Sequence, residues 1–207
     1  MADEQNPATA AEEVARKRPK PGERRIQILQ ALAAMLEQPG AERITTAALA
    51  ARLQVSEAAL YRHFASKAQM FEGLIDFIET SVFSLLNQIA EGPHDQLDKA
   101  RRMITVLLQF AERNPGMARV MVGDALVFEN DRLHQRMNLF FDKVEASLRQ
   151  MLRDAAAVHA SATPTVDAQV QASLWVSFVV GRLQRFARSG YKRSPLEHLD
   201  ASLALLT

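Results

Sequence analysis

The side chains best suited to chemistry in this 207-residue chain are hydrogen-bond donors gathered in one short stretch. Ser56-Glu57-Ala58-Ala59-Leu60-Tyr61-Arg62-His63-Phe64-Ala65-Ser66-Lys67 holds a phenol, a guanidinium, an imidazole and an ammonium between Tyr61 and Lys67. Donors of these types meet phosphate oxygens and base edges. The small neighbours Ala58 and Ala59 let a helix lie close against bases. The chemistry on offer is recognition of nucleic acid.

Presenting those donors requires two short helices and a tight turn. Thr45 or Thr46 caps the first, a hydroxyl accepting from the free amides of the opening turn. Leu49, Ala50 and Leu53 form its apolar stripe. Gln54-Val55-Ser56 is the turn, with Val55 directed into the core and Ser56 capping the second helix. That helix buries Ala59, Leu60 and either His63 or Phe64, and leaves Glu57, Ala58, Tyr61 and Arg62 outward. Ser66-Lys67-Ala68-Gln69 fits a capping box for a third helix, Ser66 accepting from the Gln69 amide and Gln69 reaching back to the Ser66 amide. This is helix-turn-helix geometry, whose second helix enters the major groove. An ordinary helical hairpin shares the periodicity. The DNA-contacting set is Thr45, Thr46, Ser56, Glu57, Ala58, Ala59, Tyr61, Arg62, His63 and Lys67.

Charge supports that placement. The net charge of +1 predicts no partner, but residues 16–67 carry ten Lys or Arg against four Glu, while residues 1–15 carry four acids and no base. The positive charge coincides with the DNA reader. Residues 1–21 are polar and interrupted by Pro7, Pro19 and Pro21, and read as a disordered arm. Its cluster Arg16, Lys17, Arg18 and Lys20 suits the DNA backbone or minor groove, or merely solubilises. Arg24, Arg25 and Arg43 lie near the phosphate face.

Other chemistries find no support. There is no cysteine, which excludes disulfides and thiolate metal sites and fits a reducing cytoplasm. The histidines His63, His94, His134, His159 and His198 show no metal-ligand spacing. No Gly-rich phosphate loop or catalytic constellation appears, so the chain reads as no enzyme and calls for no cofactor. No apolar run reaches membrane-spanning length.

The rest of the chain reads as helices. The first spans about 22–38, ended by Pro39-Gly40. A long helix from Ser66 to about Ala90 makes a strut between the reading head and a second core. A helix capped by Asp95 runs to about Arg113, and Asn114-Pro115-Gly116 is a stop-and-turn signal. A short segment spans Met117–Leu126, a long helix about 129–157, and two last helices about 165–188 and 195–206, the latter starting at Pro195. The first of these two is apolar around too much of its circumference for a surface helix. A two-fold partner offering the same pair of helices is the economical cover, with Trp175, Phe178, Val179, Arg182 and Leu203 at the interface. The organisation is an arm (1–21), a helix-turn-helix DNA-binding domain (22–67) and a helical dimerisation domain (68–207).

The run Tyr61-Arg62-His63-Phe64, with Lys67 opening the next helix, resembles the signature of TetR-type regulators over roughly residues 24–75. The likeness continues through Leu74-Ile75-Asp76-Phe77-Ile78-Glu79, Ala111-Glu112-Arg113-Asn114-Pro115-Gly116, Ala125–Leu133 and Arg185-Phe186-Ala187-Arg188-Ser189. These stretches are similar to the nucleoid-occlusion branch of that family, over about 24–200. The resemblance implies an all-α, TetR-like fold of about nine helices: a three-helix head and a C-terminal helical dimerisation domain. It implies a cytoplasmic, nucleoid-associated homodimer on palindromic sites in double-stranded DNA. Such dimers engage the tubulin-like division protein FtsZ and oppose its assembly over the nucleoid. The branch's partner surface on its fourth and fifth helices carries over to Phe77, Arg113 and Asn114. Leu85 stands where that branch suggests a basic residue, and Gln109 where it suggests a glycine. The alternative is the usual TetR role, a repressor gated by a small apolar ligand held by Met103, Leu107, Phe110, Met137 and Phe140.

Overall fold

Nine α-helices and one 3-10 turn account for the regular structure of the described residues, 22–38 and 44–206 of the computed structural model. The expectations for the arm 1–21 and for Arg43 lie outside the described residues. In chain order the elements are α1 (Glu23–Leu36), α2 (Thr46–Leu53), α3 (Glu57–Tyr61), α4 (Lys67–Glu91), α5 (Gln96–Arg113), α6 (Pro115–Met121), the 3-10 turn Asp124–Leu126, α7 (Asp131–Val158), α8 (Pro164–Arg188) and α9 (Leu199–Leu206).

Local capping sets most of the starts. The side chains of Thr45, Ser56, Ser66 and Asp95 accept from the amides of Ala48, Ala59, Gln69 and Asp98. The capping box at α4 differs from expectation in one bond, since Gln69 Oε1 accepts from the Ala65 amide at 2.8 Å. The side chain spans one residue further back and ties the end of the reading segment to α4. Gln54 ends α2 in the left-handed region at φ 55°, with Val55 N–H donating to Ala50 O and Gln54 N–H to Ala51 O, each at 3.0 Å. These paired bonds satisfy the last carbonyls of α2 and turn the chain towards α3.

Two boundaries move. Pro115 is the first residue of α6, where its missing N–H costs nothing. Gly116 is therefore helical, and it packs against α1: a Cβ there would stand 2.5 Å from Ala33 O. The last helix starts at Leu199 instead of Pro195 because His198 sits at φ 53°, and a left-handed residue cannot continue a right-handed helix.

One apolar core runs through the molecule. At the head it is built from Ile28, Leu32, Leu49, Leu60, Phe64, Met70, Phe71 and Leu74. In the body it is built from Ile104, Leu107, Phe140, Leu148 and Trp175, with neighbours along α5, α7 and α8. Helix α4 serves both. The end of α1 is fastened to the body across the chain: the Leu36 carbonyl accepts from Tyr191 Oη at 2.9 Å and Arg119 Nη1 at 3.3 Å. Burial pushes the Tyr191 phenol above its ordinary value, opposed by the nearby Arg119 charge.

Of the residues chosen for a dimer interface, Trp175, Val179 and Leu203 need correction. Trp175 is fully buried, with Nε1 donating to Leu206 O at 3.2 Å, and Val179 and Leu203 are buried beside it. They complete the subunit's own core. Arg182 braces α9 within the subunit, donating to Glu197 O at 2.6 Å and Ser202 Oγ at 2.9 Å while lying 4.8 Å from the centre of the Phe178 ring. Phe178 is half-buried. The apolar side chains that α8 leaves exposed are Val166, Val170 and Leu174, and α9 exposes Leu205.

Candidate nucleic-acid interface

The five residues of α3 are too few to hold a helix by hydrogen bonding alone. Tertiary contacts hold it. Leu60 and Phe64 are buried under it, and Ser56 caps its start. Arg25 closes its end, donating from Nη1 to His63 O at 2.7 Å with its guanidinium 4.0 Å from the centre of the Phe64 ring. Arg25, grouped by sequence with the phosphate face, is thus a brace for the reading helix. The link spans 38 positions, so no local pattern could have signalled it.

The candidate contact residues divide into four groups. Ala58, Tyr61, Arg62 and His63 are exposed on or just beyond α3, with Ala59 half-buried behind them. Thr45 and Ser56 are exposed, but their hydroxyl oxygens accept the capping bonds at the starts of α2 and α3. Thr46 Oγ1 donates to Glu57 Oε2 at 2.5 Å, clasping α2 to α3. The clasp occupies one carboxylate oxygen of Glu57 and leaves its negative charge in place. Lys67 is different again: its ammonium is bonded to the Glu129 carboxylate, a partner 62 positions away that sequence reasoning missed.

The residues carried over to a partner surface also come together. Phe77 is 48% exposed on α4, with its ring centre 6.4 Å from that of Phe110 on α5. Phe77 and Asn114 line a groove of about 380 Å³ with Ile26, Leu29, Ala33, Leu74 and Met117. The groove lies where the head meets the body. Asn114 Nδ2 donates to Phe110 O at 2.7 Å, capping α5, and Arg113 is exposed next to it. The five side chains expected to line a ligand pocket (Met103, Leu107, Phe110, Met137 and Phe140) are instead buried in the shared core. Phe140 is packed between Phe83 and Phe141, at 5.4 and 5.2 Å between ring centres. Among the described residues, no helix is long and apolar enough to cross a membrane.

Known proteins match this arrangement. Residues 28–74 match the family described as bacterial regulatory proteins, tetR family, and residues 94–207 match the tetracyclin repressor-like C-terminal domain of SlmA-like type. The chain is 51% identical over 178 residues to the nucleoid occlusion factor SlmA of Idiomarina loihiensis, covering 86% of this chain and 90% of that one. It is 50% identical over 190 residues to the protein of the same name from Aliivibrio fischeri, covering 91% and 96%. It is 51% identical over 185 residues to that of Vibrio cholerae, covering 89% and 94%. Among solved structures, the TetR family transcriptional regulator PfmR of Thermus thermophilus shares the fold with a TM-score of 0.71 at 22% identity, over 87% of this chain and 96% of that one. AibR, solved with isovaleryl coenzyme A and operator DNA, shares it with a TM-score of 0.68 at 17% identity, over 88% and 97%. With its helix-turn-helix head, its helical body and this identity along most of its length, the chain belongs to the TetR family, in the group of the SlmA nucleoid occlusion factors.

Proposed function

We propose that this protein binds palindromic chromosomal sites as a homodimer and, from there, engages FtsZ and opposes division-ring assembly over the nucleoid. Residues 22–67 read the DNA, and 68–207 dimerise and hold the partner. The exposed Tyr61 and Arg62 supply base and phosphate contacts, in a segment where basic residues outnumber acids. The copies meet through Val166, Val170, Leu174, Phe178 and Leu205, which are left exposed or half-buried on α8 and α9. The site of action is the cytoplasm, on the nucleoid.

The observation that carries the partner reading is the groove at Phe77 and Asn114. Its floor is apolar, a half-exposed aromatic ring stands in its wall, and Arg113, next in the chain to the lining residue Asn114, is exposed. An aromatic anchor beside a forked cation suits an extended peptide with apolar and acidic residues. The groove also includes α1 of the reading head, so the partner surface and the DNA reader share a helix.

The test is sedimentation of FtsZ polymers with the protein on a duplex it has selected from a randomised library. Wild type reduces the pelleted fraction. Arg113→Asp abolishes that effect while duplex binding and melting temperature stay as in wild type. No change in FtsZ sedimentation with the DNA-bound wild type would discard the reading.

A further inference from the structure

Lys67 faces two demands. It is the first residue of α4, immediately beyond the cap Ser66 and the reading segment, and the proposed function needs a phosphate donor there. Its ammonium is nonetheless bonded to Glu129, from the segment between the 3-10 turn and α7. The Lys67 and Glu129 side chains are only 20% and 9% exposed. The ammonium also lies 5.6 Å from the centre of the Phe71 ring. Sheltering of this kind separates the pair from loose surface ion pairs, which contribute little.

Its place in the molecule is specific. Four ion pairs tie α4 to α7 and the segment before it: Lys67 with Glu129, Glu72 with Arg132 at 2.8 Å, and Arg136 with both Asp76 at 2.5 Å and Glu79 at 2.6 Å. The first lies at the DNA end. Val127 and Phe128, just before Glu129, are exposed. Burial of their side chains therefore does little to seat this segment, which the ion pair ties to α4. A carboxylate and a phosphate offer an ammonium the same acceptor chemistry, and two anions crowded on one cation repel each other.

We infer that Glu129 competes with the DNA backbone for Lys67. It holds the ammonium in the free protein and yields it to a phosphate oxygen when the head docks. Docking thereby releases the Val127–Glu129 segment from α4, and Glu129 lowers DNA affinity. The inference rests on the proposed reading of Lys67 as a phosphate donor.

The probe is a duplex selected by the wild-type protein from a randomised library, with a scrambled duplex as control, titrated by fluorescence anisotropy over a salt series. Glu129→Gln binds the selected duplex about 5–30-fold more tightly, the factor expected for removing a sheltered competitor. Its plot of log affinity against log salt steepens by up to about one unit, because the Lys67–phosphate contact then forms without freeing a carboxylate that takes up a counterion. Lys67→Gln binds more weakly, and adding Glu129→Gln to it changes nothing further. In the unaltered protein, amide hydrogen exchange across Val127–Asn130 accelerates when the duplex binds. This measurement needs no substitution, and it decides the case if Glu129→Gln fails to fold. Equal or weaker binding by folded Glu129→Gln, or exchange that is unchanged or slower on DNA, overturns the competition. Unchanged binding by Lys67→Gln overturns the phosphate role of Lys67 itself, and the inference falls with it.

Discussion

Arg25 and Arg62 are the same residue type on the same head, and their surroundings give them opposite tasks. Arg25 is held inward by the His63 carbonyl and the Phe64 ring, and Arg62 is exposed just past the end of α3. Arg62→Ala is therefore expected to weaken binding to a selected duplex by about 1–3 kcal/mol, as loss of a base contact does, with no change in melting temperature. Duplex affinity equal to wild type would take Arg62 out of the interface. Tyr191 works at longer range, with its hydroxyl donating to Leu36 O. Tyr191→Phe loses this bond at an expected cost of about 0.5–1.5 kcal/mol near neutral pH, read by urea denaturation. Burial raises the Tyr191 phenol above its ordinary value of 10.0, so the folded state favours the neutral form. The stability this contributes is complete below that ordinary value and is lost as pH rises through the raised one. Wild-type stability should accordingly decline in alkali more steeply than that of Tyr191→Phe. Parallel alkaline profiles for the two proteins would count against the assignment.

At the scale of elements, the contact of α1 with α6 decides how the head sits. Gly116 lets the helices approach until a Cβ would lie 2.5 Å from Ala33 O and 3.1 Å from Leu36 Cβ. A backbone oxygen cannot swing aside as a side chain can, so Gly116→Ala must push α1 away from α6. The expected cost is about 1–3 kcal/mol, measured by thermal or urea unfolding. Because α1 carries Arg25, which closes the end of α3, weaker duplex binding should accompany the loss of stability. A wild-type melting temperature would show that α1 moves at little cost. The groove at Phe77 shares this junction, since α1 and α4 supply most of its lining.

At the scale of the whole molecule, the surface of α8 and α9 is what the subunit leaves unfinished. Leu174 is 52% exposed and Leu205 90% exposed, with Val166 and Val170 further along α8. Contiguous apolar surface of this sort marks an interaction site. In a two-fold interface one substitution acts from both copies. Leu174→Glu is expected to give a folded monomer by light scattering, with helical content retained and binding to a palindromic duplex much weakened. A stable dimer with normal affinity would place the interface elsewhere. The neighbouring Trp175→Glu is a different experiment, since that indole is fully buried and the substitution attacks the subunit core.

What could be read from the chain alone was local. The caps at Thr45, Ser56, Ser66 and Asp95 each bond an amide three residues on, so residue type and spacing nearly specify them. The reading helix, its outward residues and the strut α4 follow from helical period, and the family signature lies within one short run. Partners distant in sequence were not legible. Lys67 finds Glu129 across 62 positions and Tyr191 finds Leu36 across 155, and nothing near either residue names its partner. Which side chains of α8 the subunit covers was not legible for a related reason. Leu174 and Trp175 are adjacent and both apolar, and helical period separates their directions without saying which direction is covered from within. Only the packing of α7 and α9 against α8 decided that Trp175 completes this subunit and Leu174 stays exposed. Hydrophobicity measures how strongly a side chain leaves water, and the tertiary structure determines which surface it leaves water to meet.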